Sequence, residues 1–188
     1  MLVRIIDETT NAVVAAIKGV NNILEALTNT VKEQVINALT STGEVTTSGV
    51  EAVASVADGA IKGAGQVGTS LTDTISGTMS GVVKGTDQVG GDVISAVQGA
   101  AQGIVSATAE TGGDIGEAAV SAVQSAIKSV GEVGLDTTKA AKAATSGALD
   151  AAITIGGSAV QTVRSALLSA AALPQDVIKS AIEDRDKK

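Results

Sequence analysis

Three aspartates stand at an even spacing in this chain: Asp92, Asp114 and Asp136 recur every 22 residues, each following a Gly-Gly or Gly-Leu pair. Carboxylates do acid–base work or hold a metal when two or more converge on one point. Along one continuous helix, 22 residues is roughly 33 Å, so these three meet only if the chain stacks them as a ladder. Otherwise they are helix caps or a solvated polar edge. The rest of the chemical inventory is short. With no His and no Cys, the common catalytic triads and the imidazole or thiolate metal sites are excluded. Gly63-Ala64-Gly65-Gln66-Val67-Gly68 has the glycine density of a phosphate-binding loop, yet no Lys-Ser/Thr follows it and no strand pattern precedes it. The threonines Thr28, Thr72, Thr78, Thr86 and Thr108 wander between places of the repeat described next, which argues against a regular ice-binding array. We expect no catalytic, cofactor-binding or metal-ligating residue, and a chain that is not an enzyme.

The elements that carry these residues repeat without a slip. Cut from Met1 into blocks of eleven, the chain gives seventeen blocks and one lysine over. The first place reads Met1, Ala12, Ile23, Gln34, Val45, Val56, Val67, Thr78, Val89, Ala100, Thr111, Ala122, Val133, Ala144, Ile155, Ala166 and Val177; the fifth and sixth places are mostly aliphatic too. Eleven residues in three turns, about 3.67 per turn, hold one apolar stripe nearly straight along an α-helix. The seventh place carries much of the charge, including Asp7, Lys62, Lys84, Glu117, Lys139 and Asp150, and lies away from the stripe. Strands need alternation with period two, so a β-solenoid fits poorly.

Pairs of blocks form a 22-residue unit marked by Gly-Gly-Asp or Gly-Gly-Ser triplets such as Gly90-Gly91-Asp92 and Gly156-Gly157-Ser158. Glycine can end a helix and Asp or Ser can start the next, giving a stack of helices of roughly eighteen residues. Alternatively the glycines mark where a neighbouring helix passes close. The unbroken phase favours the second reading: an all-α chain of long amphipathic helices, extended or folded once or twice, with the stacked short-helix array as the alternative. Three segments differ in tone. Residues 1–44 hold strong aliphatics and only two glycines, residues 45–165 are the Gly/Ala/Val-rich repeats, and residues 166–188 contain the only proline, Pro174, and a charged end. A kink or restart is predicted at Pro174.

Composition narrows the partners. There is no Phe, Tyr or Trp, and the formal charge of −7 is spread through the chain. An ordinary core leans on aromatic side chains, whereas small residues let helix backbones approach closely. Nucleic acid is excluded for want of a basic stripe. Asp7 and Glu8 sit where a secretory signal keeps its apolar core, and the longest uncharged stretch, 93–109, is too short and too weakly apolar to span a bilayer, so a cytoplasmic location is the default expectation. Twenty-two glycines at about 1 kcal/mol each weigh on the order of 20 kcal/mol against isolated helices. The chain is therefore expected to gain its order through an outside partner.

Blocks such as Gly134-Leu135-Asp136-Thr137-Thr138-Lys139-Ala140-Ala141-Lys142 and Gly81-Val82-Val83-Lys84-Gly85-Thr86-Asp87 resemble the eleven-residue repeats of perilipin-type lipid-droplet coat proteins, over about residues 45–165. That resemblance is one of composition and period, and it implies long amphipathic helices lying on neutral lipid. Two functions follow as expectations. The first is a structural protein that forms a homo-oligomer or polymer through small-residue helices, as a filament, sheath or shell. The second is a peripheral coat on a neutral-lipid droplet or polymer granule.

Overall fold

From residue 47 to residue 157 each 22-residue unit contains one helix and one tight turn, and the turn chemistry explains why. At the end of the fourth helix the Thr86 carbonyl accepts from the Gly91 N–H (2.9 Å) and the Asp87 carbonyl from the Gly90 N–H (3.0 Å), the paired bonds of a Schellman ending. Gly90 takes φ +69°, a left-handed conformation that costs a residue with a Cβ roughly 1–2 kcal/mol. Two residues on, the Asp92 carboxylate accepts from the N–H groups of Ile94 and Ser95 and so starts the next helix. Gly68, Gly112 and Gly134 repeat the left-handed turn, with Ser70, Asp114 and Asp136 as the caps that follow.

The computed structural model describes residues 2–18, 22–42 and 47–187. Among them it holds nine helices and no strand: α1 (Leu2–Lys18), α2 (Ile23–Thr42), α3 (Thr47–Gln66), α4 (Leu71–Gln88), α5 (Val93–Glu110), α6 (Ile115–Glu132), α7 (Thr137–Ile155), α8 (Ala159–Ser169) and α9 (Gln175–Asp186). Consecutive helices run antiparallel, and the strongest packing joins each helix to the one two places away. The odd-numbered helices thus form one layer and the even-numbered helices another, with the members of a layer parallel.

Within the layers, glycine sets the spacing. A Cβ built on Gly81 of α4 falls 2.7 Å from the Thr28 carbonyl oxygen of α2, and one on Gly85 falls 2.8 Å from that of Lys32. Gly59 and Gly63 of α3 meet the carbonyls of Ile6 and Thr10 in α1 in the same way, and Gly99 of α5 meets that of Val50 in α3. Gly103 and Gly147 are tighter still, against the Ala54 and Gln98 carbonyls. Backbones this close leave no room for an aromatic ring, so the core can be built from Val and Ala with a few larger fillers: Leu27, Ile75, Met79, Ile104, Leu149, Leu167 and Ile178. The contacts are also slipped along the helix axes. Gly81 sits on Thr28 and Val31, although its repeat equivalent in α2 is Asn37, about 9–13 Å further along.

Three expectations change. Helices of about eighteen residues replace long ones folded once or twice, because the left-handed glycines and the Asp or Ser caps end and restart the helix at each triplet. The triplets are turns, and close helix contact falls to other glycines. At Pro174 the restart holds and the kink does not: α8 ends at Ser169 and α9 begins at Gln175, with the proline in the N-cap position. The apolar stripe is covered by neighbouring helices of the same chain, so its order does not require an outside surface. No helix among the described residues is long and apolar enough to cross a membrane.

Candidate functional site

The fold separates the aspartates that the sequence spaces evenly. Asp92 and Asp136 begin α5 and α7 in one layer, while Asp114 begins α6 in the other, whose helices run the opposite way. Each is occupied as a cap: Asp114 accepts from Gly116 (2.8 Å) and Glu117 (3.0 Å), Asp136 from Thr138 (2.9 Å) and Lys139 (3.1 Å). The Ser95 hydroxyl donates to Asp92 (2.7 Å) and, with two backbone N–H groups, holds its carboxyl below the ordinary aspartate value. They stabilise helix starts and form no acid–base pair. Among the described residues no group of three or more acidic side chains is placed to hold a metal.

The glycine-dense segment 63–68 lies at the end of α3, where helix carbonyls point outward and an anion finds no donors. Gly63 is pressed on Thr10, and Gly68 makes the turn. The threonines form no common array: Thr78, Thr86 and Thr108 are buried, while Thr72 is exposed. Thr108 donates to the Ile104 carbonyl (2.8 Å), Thr72 to Glu117 (3.2 Å), and the buried hydroxyls of Thr78 and Thr86 have no partner.

Charge gathers in two places instead. In the first, Lys62 lies 2.7 Å from both Asp58 of its own helix and Glu110 of α5. Asp58 is only 7% exposed, and burial pushes its carboxyl above the ordinary value against the pull of Lys62. Burial works against the charged form of Lys62 too, but hydrogen bonds to Asp58 and Glu110 outweigh it and raise its pKa. A shallow groove of ≈ 680 Å³ runs beside this trio, lined by Asp7, Thr10, Gln66, Thr69 and Thr74 among others. Its only ammonium is already paired with two carboxylates, so it offers no free positive charge to a ligand.

The second cluster fastens α9. Arg185 pairs with Asp150 of α7, which also accepts from Gln98 of α5 (3.1 Å). Lys142 of α7 donates to Ser180 (3.0 Å) and lies 3.7 Å from Asp184, and Arg164 of α8 lies 2.6 Å from Asp186. These partners are complementary in charge, although the buried Nε atoms of Arg164 and Arg185 have no hydrogen-bond partner.

Comparison with known protein families finds none that matches the chain, and no curated protein is similar to it.

The feature that sequence reasoning missed is a second repeat of small residues. Ser55, Gly59 and Gly63 in α3, Gly77, Gly81 and Gly85 in α4, Gly99, Gly103 and Ala107 in α5, Ser121, Ser125 and Ser129 in α6, and Ala143, Gly147 and Ala151 in α7 recur every 22 residues at i, i+4 and i+8. Four-residue spacing puts each trio on one helical face. It is this face that seats α3, α4, α5 and α7 on the helix two before each. The signal was present in the sequence but was hidden by counting glycines together, turn and notch alike.

Proposed function

We propose that the chain is a non-enzymatic structural module that joins with further copies of itself through helix stacking. The observation that supports this most is the repeated seating contact: small residues of one helix lie against the backbone of the helix two before it, in both layers. The same places in α1 and α2 are Asn11 and Ala15, and Glu33, Asn37 and Ser41, all exposed. A face that elsewhere in the array lies against the helix two before it is here uncovered, and the outer side of α7 and α8, which α9 partly covers, is the corresponding face at the other end. Two unlike faces on one chain make a head-to-tail contact, the kind that grows into filaments or rings. Sedimentation velocity across a concentration series, with circular dichroism of the same samples, tests the reading. Masses rising above that of one chain at constant helicity support it. A chain that stays single at every concentration, and binds neutral-lipid emulsion with a change in helicity, overturns it in favour of a lipid coat.

A further inference from the structure

Two of the chain's three arginines meet at one place, although lysines outnumber arginines ten to three. Arg164 of α8 and Arg185 of α9 line a pocket of ≈ 300 Å³ between α7, α8 and α9, together with Leu149, Ile153, Val160 and Asp186. Local geometry gives this pocket a direction. Leu149 and Ile153 stand four residues apart on α7, as Val160 and Arg164 do on α8, so each pair shares a helical face. Because α8 runs back along α7, Ile153 and Val160 lie at the end nearer the turn at 156–158, and Leu149 and Arg164 lie one helical turn away from it. α9 supplies charge at that second end only. It stops at Asp186, while α7 continues past Asp150, the partner of Arg185, to Ile155. Ile153 is left 55% exposed. The pocket is thus aliphatic at one end and holds two guanidiniums at the other.

These guanidiniums have donors to spare. Each carries five N–H donors, yet among the described residues each makes one hydrogen bond, Arg164 to Asp186 (2.6 Å) and Arg185 to Asp150. The Nε of each is buried without a partner, which is costly until an acceptor meets it. The two carboxylates differ in how firmly they are held. Asp150 is mostly buried and also accepts from Gln98 (3.1 Å). Asp186 is half-exposed, ends α9, and has Arg164 as its one hydrogen-bond partner. Asp186 is the member of the cluster that can be displaced.

We propose that this pocket is a binding site for a small aliphatic carboxylic acid. Its chain lies on Leu149, Ile153 and Val160, and its carboxylate replaces Asp186 on Arg164, with Arg185 beside it. A guanidinium freed in this way presents a planar fork of N–H groups, which takes a carboxylate bidentately where a lysine could not. Apolar walls with a few placed polar groups are the usual make-up of a small-ligand site, and ≈ 300 Å³ is at the lower end of their size. Allowing about 30 Å³ for each non-hydrogen atom, the share of one water in the liquid, the pocket holds about ten, an unbranched acid of about eight carbons. The site does not depend on the assembly reading. A ligand there leaves α9 seated, since Ile178, Ala181 and Ile182 stay buried.

Octanoate is the probe, with octanol and octylamine as its uncharged and cationic counterparts, each titrated into the full chain at neutral pH and followed by amide NMR shifts. Octanoate is expected to give saturable shifts centred on 149–164 and 185–187. Octanol is expected to bind at least about tenfold more weakly, the loss of one charge-assisted contact, and octylamine more weakly still. Arg164→Gln is expected to weaken octanoate by a similar factor. Asp186→Asn is expected to strengthen it about twofold to fivefold, because a half-exposed ion pair no longer competes; a purely structural Arg164–Asp186 pair would not produce that gain. The proposal is overturned by octanoate that shows no saturation up to about 10 mM, the affinity ten atoms reach at the modest efficiency of drug-sized ligands, or that binds no better than octanol. Unchanged affinity in Arg164→Gln, or no gain in Asp186→Asn, overturns it equally. Should either variant lose helicity, the three-probe comparison on the unaltered chain decides alone.

Discussion

Adding one methyl group at Gly81 tests the packing account directly, because two opposing effects of known size meet there. Alanine in place of an interior helical glycine gains about 1 kcal/mol of helix propensity. Against that, the new Cβ lies 2.7 Å from both the Thr28 carbonyl oxygen and Val31 Cβ, where ordinary contact begins at 3.4 Å. The Thr28 oxygen is backbone and cannot rotate away, so α2 and α4 must part by about 0.7 Å, and a gap of about that size forfeits a quarter to a half of each dispersion contact along the seam. Overpacking costs about 1–3 kcal/mol, the upper part of that range where the obstacle is backbone, so an overpacking cost of about 2–3 kcal/mol less about 1 kcal/mol of propensity leaves Gly81→Ala about 1–2 kcal/mol less stable. Gly65→Ala is the internal control. Gly65 lies in the last turn of α3 with nothing within 4 Å of its would-be Cβ, so the same change should add up to about 1 kcal/mol. Urea unfolding with a shared m-value separates the two. Melting temperatures should move in opposite directions, by about 2–4 °C per kcal/mol at this chain length. A Gly81→Ala chain as stable as the parent, or more so, refutes the claim that close backbone approach determines the glycine there.

Other substitutions probe other parts of the fold. Thr78→Val removes a fully buried hydroxyl without a partner, and thermal melts should show a gain of about 1–2 kcal/mol, the desolvation cost that the hydroxyl now imposes. Asp114→Ala deletes the cap of α6 and should cost about 1 kcal/mol in denaturant unfolding, without loss of any ligand-dependent property. Asp58 gives a pH signature. Its pKa is raised by burial, so the folded chain holds this proton more tightly than the unfolded chain, and stability falls as pH rises from the ordinary value of about 3.9 through the folded pKa. Asp58→Asn removes that slope, so the stability of the variant relative to the parent should improve as pH rises through this window and level off above it. Unfolding curves taken at stepped pH that keep a constant difference between the two chains refute this assignment.

Much of the helical plan was legible because the rules involved are local. Gly90, Gly112 and Gly134 need only their own φ and a capping Asp two residues later, and these two signals were read as one of two options. What led to the longer-helix preference was the unbroken phase, which the structure explains. Alternate first places fall mid-helix and buried, as at Val56, Thr78 and Ala100, while those between fall at the turn, as at Val67, Val89 and Thr111. Helix and turn together span two blocks, so folding back does not disturb the count. The partner of the stripe was not legible. A pattern on one helix shows which side is apolar, but whether Val83 or Ala100 meets lipid, another chain or its own chain depends on where the turns aim the next helix. For the candidate site, the expectation of caps at Asp92, Asp114 and Asp136 agrees with the geometry. Asp58, buried beside Lys62, gave no warning, since nothing in its neighbours marks it from an exposed acid.

The axial slip between neighbours of a layer has a geometric outcome. Each of α3, α5 and α7 meets its predecessor in the layer at residues nearer that predecessor's start, and α4 meets α2 in the same sense. Because the two layers point in opposite directions, equal slips displace them oppositely in space. The rods of each layer therefore lie oblique to the direction in which that layer is stacked, and the two layers lean in opposite senses, as in a herringbone.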